Sequence, residues 1–186
     1  MKHIIFGILI FLLLFIAFIV FRIQIRRDYR IYKRLTPLSS FLQIIVFLFL
    51  FLLPYSFLPS EWPWFWQNLN SLFRILGALI VTTGFLLAFG TMFLFGLKRA
   101  FGLDVNKLVQ SGIYSVSRNP QVVGGWLMVF GISLQYPSIY SFLWTMVSIG
   151  VFHFMVLSEE EHLLNVFGED YIKYCKQVPR YLISKI

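Results

Sequence analysis

Apolar residues fall into five uninterrupted runs: Ile4–Phe21, Phe41–Leu58, Leu72–Leu97, Val122–Tyr136 and Ile139–Leu157. The runs show no strand-like alternation, and a bilayer-spanning helix needs about 20 such residues. The pattern therefore predicts an all-α integral membrane bundle of about five transmembrane helices. The fourth run is short, and is completed by the residues before it or crosses a locally thin region. Pro137 and Ser138 alone separate runs four and five, which predicts a C-terminal antiparallel helical hairpin. Gly124, Gly125, Gly131 and Ser133 in run four, and Gly77, Gly84 and Ala88 in run three, are small enough to let helices approach closely.

Composition supports the membrane reading. The chain is 59% hydrophobic and 13% charged, where a soluble domain runs about 45–50% and about 25%. A soluble domain and a disordered chain are both excluded. The net charge of +8 would suggest nucleic acid on a soluble protein. Here the cations flank the apolar runs. With the N-terminus outside, fourteen of the sixteen lysines and arginines fall in segments 22–40, 98–121 and 158–186. That bias predicts a cytosolic C-terminus and membrane lipids, not nucleic acid, as partners. Trp62, Trp64 and Trp66 predict an interfacial belt in the outer loop. Run one reads as an uncleaved anchor, because its cations mostly follow it and no small-residue cleavage site appears. Cys175 has no cysteine to pair with, and no Cys/His metal spacing exists. The whole chain, 1–186, reads as a single membrane domain. Three N-terminal spans occupy 1–97; a loop, the hairpin and a cytosolic helical tail occupy 98–186.

Polar chemistry concentrates in two stretches bracketing the hairpin, LVQSGIYSVSRNPQVVGG (108–125) and LSEEEHLLNVFGEDYIKYCKQVPRYL (157–182). The hairpin brings them to one membrane face. In the first, Arg118, Asn119 and free backbone N–H groups at the start of run four suit an anion; a plain positive-inside anchor explains Arg118 equally well. In the second, Glu159, Glu160 and Glu161 leave the end of run five together. They hold a cation, or the helix continues and they form an ordinary solvated face. His153 lies seven residues before Glu160, on nearly the same helix face. It reads as a neutral histidine bonded to a neighbouring helix, with a functional role as the competing account.

Together the stretches resemble the integral-membrane methyltransferases typified by isoprenylcysteine carboxyl methyltransferase, related to the phospholipid methyltransferases. The form G-x-Y-x-x-x-R-H/N-P-x-Y-x-G is matched by Gly112, Tyr114, Arg118, Asn119, Pro120 and Gly124. The form E-E-x-x-L-x-x-x-F-G-x-x-Y-x-x-Y, followed by V-P-R, is matched by Glu159, Glu160, Leu163, Phe167, Gly168, Tyr171, Tyr174, Val178, Pro179 and Arg180. The likeness covers roughly the last 80 residues, with two multi-residue motifs in order around a hairpin. Asn119 stands where the family often has His, and Val122 where it has an aromatic ring.

The resemblance implies an enzyme that uses S-adenosyl-L-methionine, needs no metal, and methylates a lipophilic small molecule or lipid at the membrane–cytosol interface. It implies that Arg118 and the loop amides hold the methyl donor's carboxylate, and that Glu159 or Glu160 holds its ammonium. Tyr114, Tyr171, Tyr174 and the Val178–Leu182 segment would enclose the adenine. The leading acceptor is a prenylcysteine-type carboxylate, which is already a nucleophile and which Arg118 would orient. An amine or thiol acceptor must lose a proton, to Glu160 or His153. A phospholipid or small-thiol/amine methyltransferase is therefore the alternative. A sterol-type membrane reductase and a non-catalytic lipid-binding protein are the further alternatives.

Overall fold

In a computed structural model, residues 1–57, 72–95 and 108–182 are described. The Trp62–Trp66 belt lies outside them. So do Lys98, Arg99, Lys107 and Lys185 of the basic segments. Among the described residues all regular structure is helical. α1 runs Lys2–Tyr32, with π-helical turns over Ile19–Ile25. α2 is Pro37–Leu52, α3 is Leu72–Phe95, α4 is Pro120–Gln135, α5 is Ile139–Phe167 and α6 is Glu169–Gln177.

Among the described residues three helices are long and apolar enough to cross a bilayer: Lys2–Tyr32, Leu72–Leu94 and Ile139–Phe167. α2 and α4 have 16 residues each, about 24 Å against a hydrocarbon core of about 30 Å. Large apolar side chains cover the outside of the bundle; Phe11, Phe49, Leu79 and Phe142 are all more than half exposed. Such a surface is stable only in contact with lipid. The chain is thus a multi-pass membrane helical bundle.

Helix boundaries differ from the apolar runs for local reasons. α1 and α5 continue past Phe21 and Leu157 into polar sequence, because Arg, Gln, Glu and Leu propagate a helix well. α2 begins before Phe41 because Thr36 caps it, accepting from Ser39 N at 3.3 Å, with Pro37 in the first turn. Thr36 also donates its amide and hydroxyl to the buried Asp28 carboxylate, at 3.0 and 2.5 Å. That locks the turn between α1 and α2, where Lys33 takes a left-handed conformation. Ser138 and Ser141 form a reciprocal capping box that starts α5.

The small-residue expectation holds at the α3–α4 contact, the most extensive between any two helices here. A Cβ on Gly84 would sit 2.6 Å from the Gly124 carbonyl oxygen, and one on Gly124 would sit 2.6 Å from Ala88 N. Gly77 and Gly131 repeat the arrangement further along. α4 and α5 touch at two places: Ser133 bonds Thr145 Oγ1 at 2.7 Å, and Gly125 lies against the Phe152 ring.

α2 is tied to α5 by one buried hydrogen bond. Pro54 has no N–H, so the Leu50 carbonyl loses its helical partner. Trp144 Nε1 donates to it instead, at 2.8 Å. Trp144→Phe keeps most of the ring and strands the carbonyl, an expected loss of about 1–3 kcal/mol, read as a lower Tm in detergent. Gly124→Val is expected to lower Tm as well, by forcing α3 and α4 apart; an unchanged Tm would contradict the close contact.

Candidate active site

Glu160 is where the two polar stretches meet. Helix α5 carries it beyond Leu157 to the polar end of the bundle, with its side chain 10% exposed. Its Oε1 accepts from Asn119 Nδ2 at 3.2 Å and lies 3.4 Å from Arg118 Nη1. Its Oε2 accepts from Arg180 Nε at 2.9 Å, with Arg180 Nη2 at 2.8 Å. One carboxylate thus binds the loop before α4 and the tail after α6. The hydrogen bond to Glu160 favours the charged form of Arg180 further.

The backbone joins the same two pieces. Arg118 N donates to the Pro179 carbonyl at 3.0 Å. The Arg180 carbonyl accepts from Asn119 Nδ2 at 3.1 Å and Ser117 Oγ at 3.5 Å. Tyr174 OH donates to the Tyr114 carbonyl at 2.7 Å. Arg118, with 8% of its side chain exposed, also donates through Nη1 to Cys175 Sγ. Its Nε is buried without a hydrogen-bond partner among the described residues. A buried guanidinium N–H of this kind is an anion-binding group with capacity to spare.

Several sequence expectations change here. The start of α4 offers fewer free amides than expected: Pro120 has none, and Val122 and Val123 both donate to the Asn119 carbonyl, at 3.1 and 3.2 Å. The glutamates do not form a solvated face, although α5 does continue. Glu160 is buried in the cluster. Glu161 accepts from Arg22 at 2.6 Å and Arg26 at 2.5 Å on α1. Glu159 lies close enough to Tyr29 of α1 to interact with it electrostatically. Successive helix positions are about 100° apart, so three neighbouring acids serve three different surroundings.

His153 is half-buried and bonds Tyr181 OH in the tail at 2.8 Å, not a neighbouring helix. Gly124 sits at the α3 contact, and Gly112 takes a positive φ of 63° at the start of a 3-10 turn. Pro120 is buried as the first residue of α4. Tyr171, Tyr174 and Val178 are buried together, with Phe167 and Leu163 packed on them. Packed together, they brace the tail.

Burial raises the phenol pKa values of Tyr171 and Tyr174 well above the usual range, and pushes Tyr181 up to about 12. Sequence reasoning passed over Ser117, read Cys175 only as unpaired and Arg22 and Arg26 only as topology cations, and placed Tyr181 only within the adenine-enclosing segment Val178–Leu182. Their side-chain types carry no motif, and only the fold supplies their partners. It also passed over His162, which is 3% exposed and stacks on Tyr29 with 4.1 Å between ring centroids.

With this geometry in place, comparison with protein families is decisive. A sequence model of the phospholipid methyltransferase family matches residues 72–170, more than half of the chain. The chain belongs to the phospholipid methyltransferase family. The match runs from α3 to the start of α6, so it includes Arg118, Asn119 and Glu160 and stops before Tyr171, Tyr174 and Arg180. Comparison with curated proteins and with solved structures finds no match to either.

The raised phenol pKa values set an alkaline limit. A phenol whose folded pKa lies above its unfolded value of about 10 adds stability below that value and loses it as pH rises further. Tm is therefore expected to fall steeply above about pH 10. Tyr174→Phe should start from a lower Tm at neutral pH, having lost a bond of about 1 kcal/mol, and should fall less steeply. A parallel alkaline fall in both proteins would contradict the assignment.

Proposed function

We propose that the protein transfers a methyl group from S-adenosyl-L-methionine to a lipophilic acceptor where the membrane meets the cytosol. The observation that carries this reading is the joining of both motif stretches at Glu160, with Arg118 Nε left unused beside it. The donor set fits the nucleotide. Arg118 Nε would take its carboxylate. Glu160 would take its ammonium, with Arg180 giving way, because Arg180 is the more exposed of the two guanidinium partners at 38%. When bound, the molecule supplies an electrophilic methyl group on a sulfonium. The remaining task of the protein is alignment and exclusion of water.

The acceptor's hydrocarbon has a matching place. An apolar groove of about 410 Å³ runs between α4 and α5, with Val123, Trp126, Phe130, Met146 and Ile149 among its walls and Leu182 at one end. It adjoins the polar cluster through the tail: Trp126 packs on Tyr181 with ring centroids 4.4 Å apart, and Arg180, the next residue back, holds Glu160. A lipid could slide in sideways while the nucleotide enters from water. The topology that goes with this reading has five crossings and a C-terminal hairpin, the N-terminus outside and the C-terminus in the cytosol. The basic residue distribution supports it.

Two acceptor classes fit. A prenylcysteine-type carboxylate needs no base, which suits a Glu160 whose two oxygens are already engaged. A phospholipid amine is favoured by the family match; its proton would leave to His153, since Glu160 would be holding the donor's ammonium.

S-adenosyl-L-methionine is expected to raise the Tm of the purified protein, and Arg118→Lys to abolish that rise while the protein still folds. Absence of a shift in every detergent and lipid tried would refute the reading. Incubation with labelled methyl donor, total membrane lipid and prenylcysteine identifies the acceptor by the product that carries label. Met146→Trp, which fills part of the apolar groove, should raise the acceptor KM without changing nucleotide affinity.

A further inference from the structure

The opposite flank of α5 carries a second polar cavity, of about 370 Å³. Arg26 and Arg30 of α1 and Lys33 of the turn after it line one wall, and Glu161, Leu164 and Asn165 of α5 line the other. Arg26 and Arg30 are four residues apart on one face of α1, and the left-handed turn at Lys33 adds a third cation beside them. The single acid in the cavity is already committed, because both Glu161 oxygens are taken by Arg22 and Arg26. Arg30 and Lys33 form no ion pair among the described residues. The cavity therefore has a clear excess of positive charge, with the Asn165 amide as an additional donor. Arg30 and Lys33 are exposed, so this excess charge is solvated, and it makes the cavity attractive to an anion.

Its location narrows the choice of anion. The cavity sits where two helices of spanning length leave their apolar stretches, and Ile23 and Ile31 on the same stretch of α1 are each more than half exposed. A ligand here meets hydrocarbon on one side and water on the other. Two guanidinium forks and an ammonium suit the three oxygens of a terminal phosphate better than a single carboxylate. We propose that this cavity binds a terminal phosphate group, carried by a phosphomonoester lipid headgroup or by a free phosphate. The site is separate from the Glu160 cluster, since Glu160 and Glu161 look out from different faces of α5. It does not depend on the methyl-transfer reading.

The test uses the full chain in phosphatidylcholine nanodiscs containing either phosphatidic acid or phosphatidylserine. The two lipids are both anionic, but the first alone has a phosphomonoester. Lipid retained by the protein is read by native mass spectrometry, and a second arm reads Tm in inorganic phosphate against chloride at equal ionic strength. Phosphatidic acid is expected to be retained in preference to phosphatidylserine. The double variant Arg30→Gln/Lys33→Gln should lower that retention about tenfold, the scale of losing charge-assisted hydrogen bonds. Arg27→Gln/Arg34→Gln removes the same charge from exposed positions outside the cavity and should leave retention unchanged. A Tm rise in inorganic phosphate that the Arg30/Lys33 variant abolishes, without lipid retention, assigns the site to free phosphate. Equal retention of both lipids with equal loss in both double variants would show only diffuse surface attraction and overturn the proposal. So would the absence of both retention and a Tm response.

Discussion

A carboxylate with little access to water needs partners, and in this protein Glu160 finds them in two chain segments that sequence separates widely. Arg118 and Asn119 come from the loop that opens α4, and Arg180 from the tail beyond α6. Without Glu160 the two guanidinium groups would face each other across a nearly dry space. With it, the loop, the tail and α5 form one unit, reinforced by the bonds from Arg118 N to Pro179 and from Tyr174 to Tyr114. Buried ion pairs contribute little net stability against well-packed apolar groups, but losing one partner is severe. The cluster is best understood as a device that fixes position.

The bundle around it is organised by a second constraint, the satisfaction of backbone polar groups away from water. The Leu50 carbonyl, stranded by Pro54, is met by Trp144. The Phe21 carbonyl, in the π-helical part of α1, accepts from Ser158 at 2.7 Å. Both bonds reach α5, which therefore serves as the post against which α1 and α2 are set. α3 is held differently, by backbone approach to α4 through glycines. Close packing and interhelical hydrogen bonds are the two means available where lipid removes the hydrophobic drive between helices.

α5 also divides labour among its acids. Glu160 serves the cluster that joins loop and tail, while Glu161 ties down the basic end of α1. The cations of α1 look in the sequence like simple topology anchors. In the folded protein Arg22 and Arg26 are structural, and Arg30 and Lys33 are left to line a cavity.

Much of this was legible in the residues. Long apolar runs have one stable arrangement in a bilayer, so helical class and membrane placement follow from composition and order alone. The glycines of runs three and four, with Ala88, announced a close helix contact because small side chains let two backbones approach. Arg118, Asn119, Glu160 and Arg180 stood out through the family resemblance, because spacing alone left Arg118 equally readable as a topology anchor. Which of three adjacent glutamates joins the cluster was not legible, because that depends on the rotation of α5 against its neighbours. The same holds for His153 and Tyr181, for His162 under Tyr29, and for the amides of α4 that Asn119 occupies. Local sequence settles what a segment can become, since helix formation and lipid burial are decided within a few turns. Partners for polar atoms come from distant segments, and only packing in three dimensions chooses among them.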